Sequence, residues 1–355
     1  MNACKSILGL RPYQGGKPIE ELKRELGLET VIKLASNENP LGASVKVIEA
    51  IKKSLAEIYR YPDGNSFSLK SALGAHLGVS IDTLTLGNGS NEVLELIARV
   101  FVSEASDEVI FSQYAFPVYP LATQALGATA KVTPAKNFGH DLEAMLSKIN
   151  NNTKLIFVAN PNNPTGTLLS NDELHNFLER VPETIPVVLD QAYIEYLNAD
   201  DDPTISWLDA FSNLIITRTF SKAYGLAGLR VGYAISSTEI ADYINRVREP
   251  FNVNHVAQSA AIAALADDKY LQTSIRINSS GVKQLEAGFT KIGLTFIASS
   301  ANFVAVEVVN ANDTFEKLLK EGVIVRPVEM PNYLRVSVGT EDENTRLLEA
   351  LETVL

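Results

Sequence analysis

Lys222 stands where a lysine can act as a nucleophile. It follows the apolar stretch 214–217, with Thr219 and Ser221 before it and small residues after it. Burial at the carboxyl end of a strand favours the neutral amine, which is the form that attacks a carbonyl carbon. The segment therefore indicates Schiff-base chemistry, although a single lysine of this kind is more often an ordinary surface residue.

Polar side chains also follow two other predicted strands. Strand 155–158 leads into the loop 160–166, which two prolines and a glycine restrict while it presents amide side chains. Strand 186–189 ends at Asp190, with Tyr193 three residues later. A carboxylate at the end of a buried strand is costly unless it meets a cation or hydrogen-bond donors. Asp190 is therefore predicted to face such a partner.

A glycine turn joins the predicted strand 83–86 to an amphipathic helix that runs through Phe101. The turn reads Gly87-Asn88-Gly89-Ser90-Asn91. Free backbone N–H groups and the positive end of a helix favour an anion such as a phosphate at this position. The same residues are equally typical of a Ser/Asn helix cap, so the segment alone leaves both interpretations open.

Strands alternate with helices along most of the chain. Strands are predicted near 83–86, 108–111, 128–132, 155–158, 186–189, 214–217 and 231–235. This alternation predicts an α/β fold with a mainly parallel sheet, covered on both faces, whose ligands gather at the carboxyl ends of the strands.

A second, smaller domain is predicted after about residue 250. Long helical stretches are followed there by strands near 303–308, 323–326 and 334–338 and by a final helix from Glu341. We expect an N-terminal arm, 1–44, that packs with this small domain, a large domain, 45–250, and the small C-terminal domain, 251–355.

Composition excludes several classes of function. The formal net charge of -11 repels polyanions, so nucleic acids and anionic membranes are not expected partners. The single cysteine, Cys4, indicates a reducing compartment such as the cytoplasm. The apolar stretch 257–266 is too short to cross a bilayer. No metal is expected, because the histidines are scattered: His76, His140, His175 and His255.

Eight motifs are spread over nearly the whole chain: Leu10-Arg11-Pro12-Tyr13-Gln14, Ser36-Asn37-Glu38-Asn39-Pro40, Arg60-Tyr61-Pro62-Asp63, Asn162-Asn163-Pro164-Thr165-Gly166, Asp190-Gln191-Ala192-Tyr193, Ser221-Lys222, Gly228-Leu229-Arg230 and Leu334-Arg335-Val336-Ser337-Val338-Gly339. Together they resemble the fold-type-I pyridoxal-phosphate-dependent aminotransferases, and within them the histidinol-phosphate aminotransferase family. The resemblance implies a mostly parallel central sheet between helices, and a smaller α+β C-terminal domain joined by the N-terminal segment.

The resemblance assigns the cofactor, pyridoxal 5′-phosphate, to residues of the large domain. Lys222 would bind its aldehyde covalently and carry a proton during the reaction. Asp190 would pair with the protonated ring nitrogen. Asn163 and Tyr193 would donate hydrogen bonds to the phenolic oxygen, and Tyr114 would stack on the ring.

The cofactor phosphate would be bound by hydroxyl, amide and guanidinium groups. By resemblance these belong to Ser90, Asn91, Thr219, Ser221 and Arg230. Tyr61 would reach the phosphate of the neighbouring subunit, so a homodimer with shared active sites is expected.

The substrates implied by the resemblance are L-histidinol phosphate and 2-oxoglutarate, which would give imidazole acetol phosphate and L-glutamate in histidine biosynthesis. Arg335 would bind their anionic groups together with Arg326, while Asn163 and Tyr13 complete the substrate site. Two features depart from the family pattern. Gln191 replaces a glutamate, and segment 327–334 is short, which bears on Arg326 and on substrate choice.

Three other functions remain open at this level. The segment Gln113-Tyr114-Ala115-Phe116-Pro117 is also compatible with an aminotransferase for phenylalanine or tyrosine. The same fold supports decarboxylases that recognise phosphate. A non-catalytic ligand-sensing module is disfavoured by the intact Lys222, Asp190 and Arg335, and by the lack of a helix-turn-helix extension before Ser36.

Overall fold

The computed structural model describes residues 3–12, 15–197 and 202–355, which alternate between strands and helices. The strands are β1 Ile32–Lys33, β2 Leu84–Gly87, β3 Glu108–Ser112, β4 Thr129–Thr133, β5 Thr153–Ala159, β6 Val187–Asp190, β7 Leu214–Thr219, β8 Gly232–Ile235, β9 Phe296–Ile297, β10 Phe303–Glu307, β11 Val323–Ile324, β12 Arg326–Pro327 and β13 Tyr333–Ser337. The helices are α1 Lys5–Leu8, α2 Ile19–Leu26, α3 Val45–Ser54, α4 Phe67–Leu77, α5 Ser90–Phe101, α6 Val118–Ala125, α7 Leu142–Ser147, α8 Asn171–Arg180, α9 Thr238–Val247, α10 His255–Leu265, α11 Asp268–Ile292, α12 Ala311–Lys320 and α13 Glu341–Val354.

The large unit is built on a sheet with the strand order β2-β8-β7-β6-β5-β3-β4. Strands β3 to β7 pair in parallel, whereas β8 is antiparallel to both of its neighbours. One face packs on α3, α4, α8 and α10, and the other on α5, α6 and α9. Because both faces are covered, the central strands are continuous apolar runs. The predicted α/β fold class, with a mostly parallel central sheet, is confirmed.

The small unit contains an antiparallel sheet of order β12-β13-β10-β9, whose core is formed with α11, α12 and α13. The N-terminal segment joins this unit through β1, which pairs in parallel with β11, and through Leu34, which is buried in the small core. The first helix instead contacts the large unit. Ser6 in α1 donates a hydrogen bond from Oγ to the carbonyl of Ala125, in α6, at 3.3 Å. The arm is therefore divided between the two units.

Helix α10 belongs to the core of the large unit. Its small residues Ala257, Ala260, Ala261 and Ala264 are buried against the residues of α3 and α4. The division into 1–44, 45–250 and 251–355 stays a prediction, and this packing favours a second boundary after α10, where α11 begins.

The described residues also bear on membranes and metals. None of their helices combines the length and the apolar character that crossing a bilayer requires. Within the same residues, no three His, Cys, Asp or Glu side chains are grouped so that they could hold a metal ion.

Candidate active site

A cavity lies between the carboxyl ends of the large sheet and the small unit, where the parallel topology predicts a ligand site. The predicted site residues that line it are Ser90, Asn91, Asn163, Asp190, Tyr193, Thr219, Ser221, Lys222, Arg230 and Arg335. They lie at or after the carboxyl ends of β2, β5, β6 and β7 and on strand β13. The fold therefore brings together side chains that are far apart in the sequence.

Lys222 lies in this cavity, three residues after the end of β7. Its Nζ donates a hydrogen bond to the carbonyl of Ser36 at 3.4 Å and is 5.7 Å from the centroid of the Tyr193 ring. Burial lowers the pKa of Lys222 to about 7, and the positive charges of Arg335 and Arg230 act in the same direction. A substantial share of this amine is thus neutral near pH 7 and able to attack a carbonyl carbon.

Asp190 is held at the end of β6 with only 5% of its surface exposed. The Tyr119 hydroxyl donates to Oδ2 at 2.7 Å, and the Thr217 hydroxyl donates to Oδ1 at 3.0 Å. Burial raises the pKa of Asp190, while these two hydrogen bonds and Lys222 oppose the rise. Carboxylate oxygens accept more than one hydrogen bond each, so this fixed group can also accept a bond from a cationic ring N–H.

Tyr119 was not identified from the sequence. It is fully buried in α6, and its ring stacks on Phe157 with centroids 4.4 Å apart and an angle of 1° between the planes. Its hydroxyl is thereby aimed at Asp190. The only signal in the sequence is a phenol on the apolar side of a helix, since a buried tyrosine hydroxyl needs a partner.

The turn before α5 forms a binding site for an anion. Gly89 has φ +84°, and a Cβ there would lie 2.4 Å from Nη2 of Arg230. Arg230 donates from Nη1 to Oγ of Ser221 at 3.2 Å and to the carbonyl of Ala227 at 3.0 Å. A guanidinium group therefore lies across the amino end of α5, where the backbone N–H groups and Ser90 also favour negative charge.

Arg335 and Arg326 lie side by side in the small unit. They are directly opposite each other on the antiparallel strands β13 and β12, so their side chains leave the same face of the sheet. Arg335 donates from Nη1 to Oδ1 of Asn163 at 2.6 Å and from Nη2 to the carbonyl of Ala35 at 2.8 Å. Two adjacent positive charges favour a shared anionic ligand.

Asn37 connects three parts of the chain at the cavity wall. Its Nδ2 donates to the Tyr193 hydroxyl at 2.9 Å, its Oδ1 accepts from the Ser337 hydroxyl at 2.9 Å, and its carbonyl accepts from Asn302 at 2.9 Å. Asn37 has φ +54°, which asparagine tolerates better than most residues. Its motif, 36–40, was recognised in the sequence, but no role was assigned to this side chain.

Some predicted site residues do not meet in the cavity. Tyr114 is absent from its described lining, to which Phe116 contributes an aromatic ring instead. The two residues are separated by one position, and sequence spacing does not show which of them faces the cavity. Tyr61 is 82% exposed and stacks on Phe251 with a centroid distance of 4.7 Å. Tyr13 lies outside the described residues.

Gln191 takes part in a polar network behind Asp190. Its Oε1 accepts from Nε and Nη2 of Arg218 at 3.0 and 2.8 Å, and its Nε2 donates to the Thr204 hydroxyl at 3.0 Å. Arg218 also forms an ion pair with Asp202. The negative charge that balances Arg218 is thus supplied by Asp202, and the neutral amide of Gln191 fits between these groups.

These residues fit pyridoxal phosphate. A buried carboxylate suits its ring nitrogen, the cationic amino end of α5 suits its phosphate, and the partly neutral lysine suits its aldehyde. Tyr193 and Asn163 also line the cavity, and their hydroxyl and amide groups are candidates for its phenolic oxygen.

Comparison with known proteins is consistent with this fit. Residues 29–351 match the family model for aminotransferases of class I and II. The chain is 56% identical to histidinol-phosphate aminotransferase 2 of Pseudomonas fluorescens, covering 99% of this chain and 97% of that protein. It is 54% identical to histidinol-phosphate aminotransferase 1 of Nitrosococcus oceani, covering 99% and 96%.

Solved structures show the same likeness. The histidinol-phosphate aminotransferase of Sinorhizobium meliloti, crystallised with pyridoxal-5′-phosphate, superposes with a TM-score of 0.92 at 31% identity and covers 99% of this chain and 96% of that one. The aspartate aminotransferase of Thermus thermophilus with maleate has a TM-score of 0.85 at 21% identity, covers each chain fully, and shows the fold alone.

Proposed function

The chain belongs to the class I and II aminotransferases, and we propose that it transfers the amino group of L-histidinol phosphate to 2-oxoglutarate, giving imidazole acetol phosphate and L-glutamate. The observation that carries the proposal is the sequence similarity, over nearly the full length, to proteins named histidinol-phosphate aminotransferase. The enzyme depends on pyridoxal phosphate, and the pathway that this reaction serves is histidine biosynthesis.

Lys222 is proposed as the covalent anchor of the cofactor and as the base. When bound, pyridoxal phosphate supplies a carbonyl carbon that takes up the amino group and a ring that accepts electrons from the substrate carbon. The free Nζ of Lys222 would accept the proton from the substrate carbon and deliver it to the cofactor. The lowered pKa of Lys222 supports this role, because a base with a pKa near the working pH transfers protons efficiently.

Asp190 is proposed to hold a proton on the ring nitrogen of the cofactor. The hydroxyls of Tyr119 and Thr217 support this role, since they fix both oxygens of the carboxylate. Tyr193 and Asn163 would donate to the phenolic oxygen, and Phe116, in place of Tyr114, would pack on the ring face.

The cofactor phosphate would be held at the amino end of α5. We assign it to Ser90, Asn91, Thr219, Ser221 and Arg230, which lie together in the cavity. The contact of Arg230 with Ser221 supports this assignment, because it places a guanidinium group beside hydroxyl donors.

Substrate binding is proposed to depend on Arg335 and Arg326. The paired register of these residues allows two guanidinium groups to bind one phosphate of histidinol phosphate, while Arg335 alone suits a carboxylate of 2-oxoglutarate. Tyr13 stays a proposed substrate residue that the structure does not describe.

We also propose a homodimer in the cytoplasm. An exposed apolar surface supports the dimer: it includes Ile58, Tyr59, Tyr61 and Phe67, which are 61% to 82% exposed, and the Tyr61 ring stacks on Phe251 at its edge. Contiguous apolar patches of this kind mark protein interfaces. Tyr61 would then complete the phosphate site of the partner subunit.

The deciding experiment compares kcat/KM for histidinol phosphate, phenylalanine and tyrosine, each with pyridoxal phosphate and 2-oxoglutarate. We expect histidinol phosphate to be preferred by about a hundredfold, equivalent to about 2.7 kcal/mol of transition-state discrimination. Equal or better values for the aromatic amino acids would establish an aromatic aminotransferase, an alternative that the named relatives do not favour.

Replacing Lys222 by Ala tests the anchor separately. The variant should lose both turnover and the absorption band of the lysine-bound cofactor while it stays folded. Lys283→Ala, in α11 outside the cavity, is the control and should keep both. Full activity in the Lys222 variant would refute the assignment.

A further inference from the structure

Three aromatic rings join the two units on the outer side of Arg335. The ring of Phe138 has its centroid 6.3 Å from that of Tyr114 and 5.4 Å from that of Tyr333. Tyr114 and Phe138 follow the adjacent parallel strands β3 and β4, so both come from one edge of the large sheet. Tyr333 begins β13 in the small unit. We call these three rings the aromatic bridge.

The backbone at Phe138 has a conformation that bulky residues rarely adopt. Asn137 and Phe138 have φ values of +51° and +64°, and Lys136 and Gly139 exchange two backbone hydrogen bonds across them, at 3.1 and 2.9 Å. Tight turns of this kind strongly prefer glycine or asparagine at their central positions. A phenylalanine in such a turn is strained, and strain of this kind is concentrated at functional sites.

Burial in a core does not account for Phe138, because the residue is 37% exposed. Its ring instead contacts Tyr333, which is 7% exposed and packs with Ile297, Met330 and Tyr114. The strained turn therefore presents an aromatic ring from the large unit to an apolar cluster of the small unit.

Tyr333 is coupled to Arg335 through the strand that carries both. The two residues are separated by one position on β13, so their side chains lie on the same face of the sheet. On the inner side, Arg335 contacts the large unit by its bond to Asn163. On the outer side, the aromatic bridge gives the same strand an apolar contact with the large unit.

We propose that the aromatic bridge sets the position of Arg335 for the anionic group of the substrate, and that Phe138 and Tyr333 are positioning residues for the reaction. Neither side chain lines the cavity among the described residues, so neither touches the cofactor or the reacting atoms. The bridge therefore acts on substrate binding through Arg335 and leaves cofactor binding unchanged. The inference rests on the proposed function only for the identity of the amino donor.

The test is the variant Phe138→Asn, because asparagine accepts the left-handed conformation and replaces the aromatic ring with a small amide group. We expect the KM for L-glutamate and for histidinol phosphate to rise about tenfold. The Kd for maleate, an unreactive dicarboxylate, should rise by the same factor. The kcat should change less than about twofold and the Kd for pyridoxal phosphate should not change, as loss of substrate binding alone predicts.

Two variants serve as controls. Asn137→Gly relaxes the neighbouring position of the turn and keeps the ring, so its KM and maleate Kd should equal those of the wild type. Phe138→Tyr keeps an aromatic ring in the bridge and should retain the wild-type values as well. If Phe138→Asn does not fold, Tyr333→Leu removes the other half of the contact and should give the same rise in KM and in the maleate Kd.

The inference is overturned if folded Phe138→Asn or Tyr333→Leu keeps the wild-type KM and maleate Kd. It is also overturned if cofactor binding weakens to the same extent, because the ring would then contribute only to general stability. The proposed function fails in a different way, by lack of turnover of histidinol phosphate in the wild type. The measurements with L-glutamate and maleate remain valid in that case.

Discussion

The hydroxyl of Tyr119 donates a 2.7 Å hydrogen bond to the carboxylate of Asp190, across 71 positions of the sequence. Phe157 fixes the orientation of the Tyr119 ring, which stacks on it with nearly parallel planes. The carboxylate proposed to face the cofactor ring is thus held by a residue that belongs to the core of the large unit. Packing in this core and the chemistry of the site are linked at that point.

Tyr119→Phe should lower kcat about tenfold, because a hydrogen bond to a charged group contributes about 1.5–3 kcal/mol and the variant loses the part of it that stabilises the transition state more than the ground state. The pKa of Asp190 should rise further, since the Tyr119 bond opposes the effect of burial. Steady-state kinetics and the pH dependence of kcat measure both effects. Phe177→Leu, in α8 on the opposite face of the sheet, is the control: it should lower the melting temperature and leave that pH dependence unchanged.

The capture of pyridoxal phosphate by the apoenzyme should follow the titration of Lys222. With a pKa of about 7, the neutral amine falls about tenfold per pH unit below that value, so the rate should rise with pH and level off above pH 8. Arg335→Gln removes a positive charge, which raises the pKa and moves the profile to higher pH. Arg246→Gln, on the exposed surface of α9, should leave the profile in place. Stopped-flow absorbance over about pH 5.5–9, at a fixed concentration of pyridoxal phosphate, measures this rate.

Gln191→Glu should destabilise the fold by about 1–3 kcal/mol and change kcat little. The substitution removes the donor to Thr204 and puts a second carboxylate beside the Asp202–Arg218 ion pair. Combining it with Asp202→Asn leaves a single negative charge beside Arg218, as in the wild type, and should recover most of the lost stability. Thermal denaturation of both single variants and the double variant completes the cycle. Additive effects in this cycle would show that the two sites are independent.

His140 should make the protein sensitive to acid. Burial lowers its pKa to about 4, although its Nε2 lies 2.8 Å from the carbonyl of Ala159. In the unfolded chain, His140 takes up a proton at its ordinary pKa. The free energy of unfolding is therefore at its full value above about pH 6.5 and decreases as the pH falls toward 4, by about 3 kcal/mol in total. His140→Gln should flatten the fall in melting temperature across this window. An unchanged slope would show that other groups cause it.

The strands of the large sheet were predictable because both of their faces are covered. Strand β5, for example, contains a run of buried apolar residues, Leu155 to Val158. Such runs can be recognised in the sequence without knowing which elements pack against them. The residues that follow these strands were identified for the same reason. Lys222 and Asp190 stand where polar side chains interrupt apolar stretches.

Contacts between distant segments were not predictable from the sequence. Tyr119 meets Asp190, and Asn37 meets Tyr193, only because the fold brings them together, and the local pattern around Tyr119 is that of an ordinary core position. The choice between Tyr114 and Phe116 depends on the path of a loop. Strands as short as Arg326–Pro327 leave no periodic pattern at all.

The pairing of β1 with β11 affects how the chain can fold during synthesis. The backbone N–H of Asn37 bonds to the Ser337 hydroxyl, 300 positions later, so the segment around β1 waits for partners that are translated much later. The large unit can collapse earlier, because its strands pair mostly with near neighbours in the sequence. A nascent chain that ends before β11 would hold Lys222 and Asp190 in a nearly finished sheet while an unpaired strand remained open to aggregation. Translation past β11 removes that hazard.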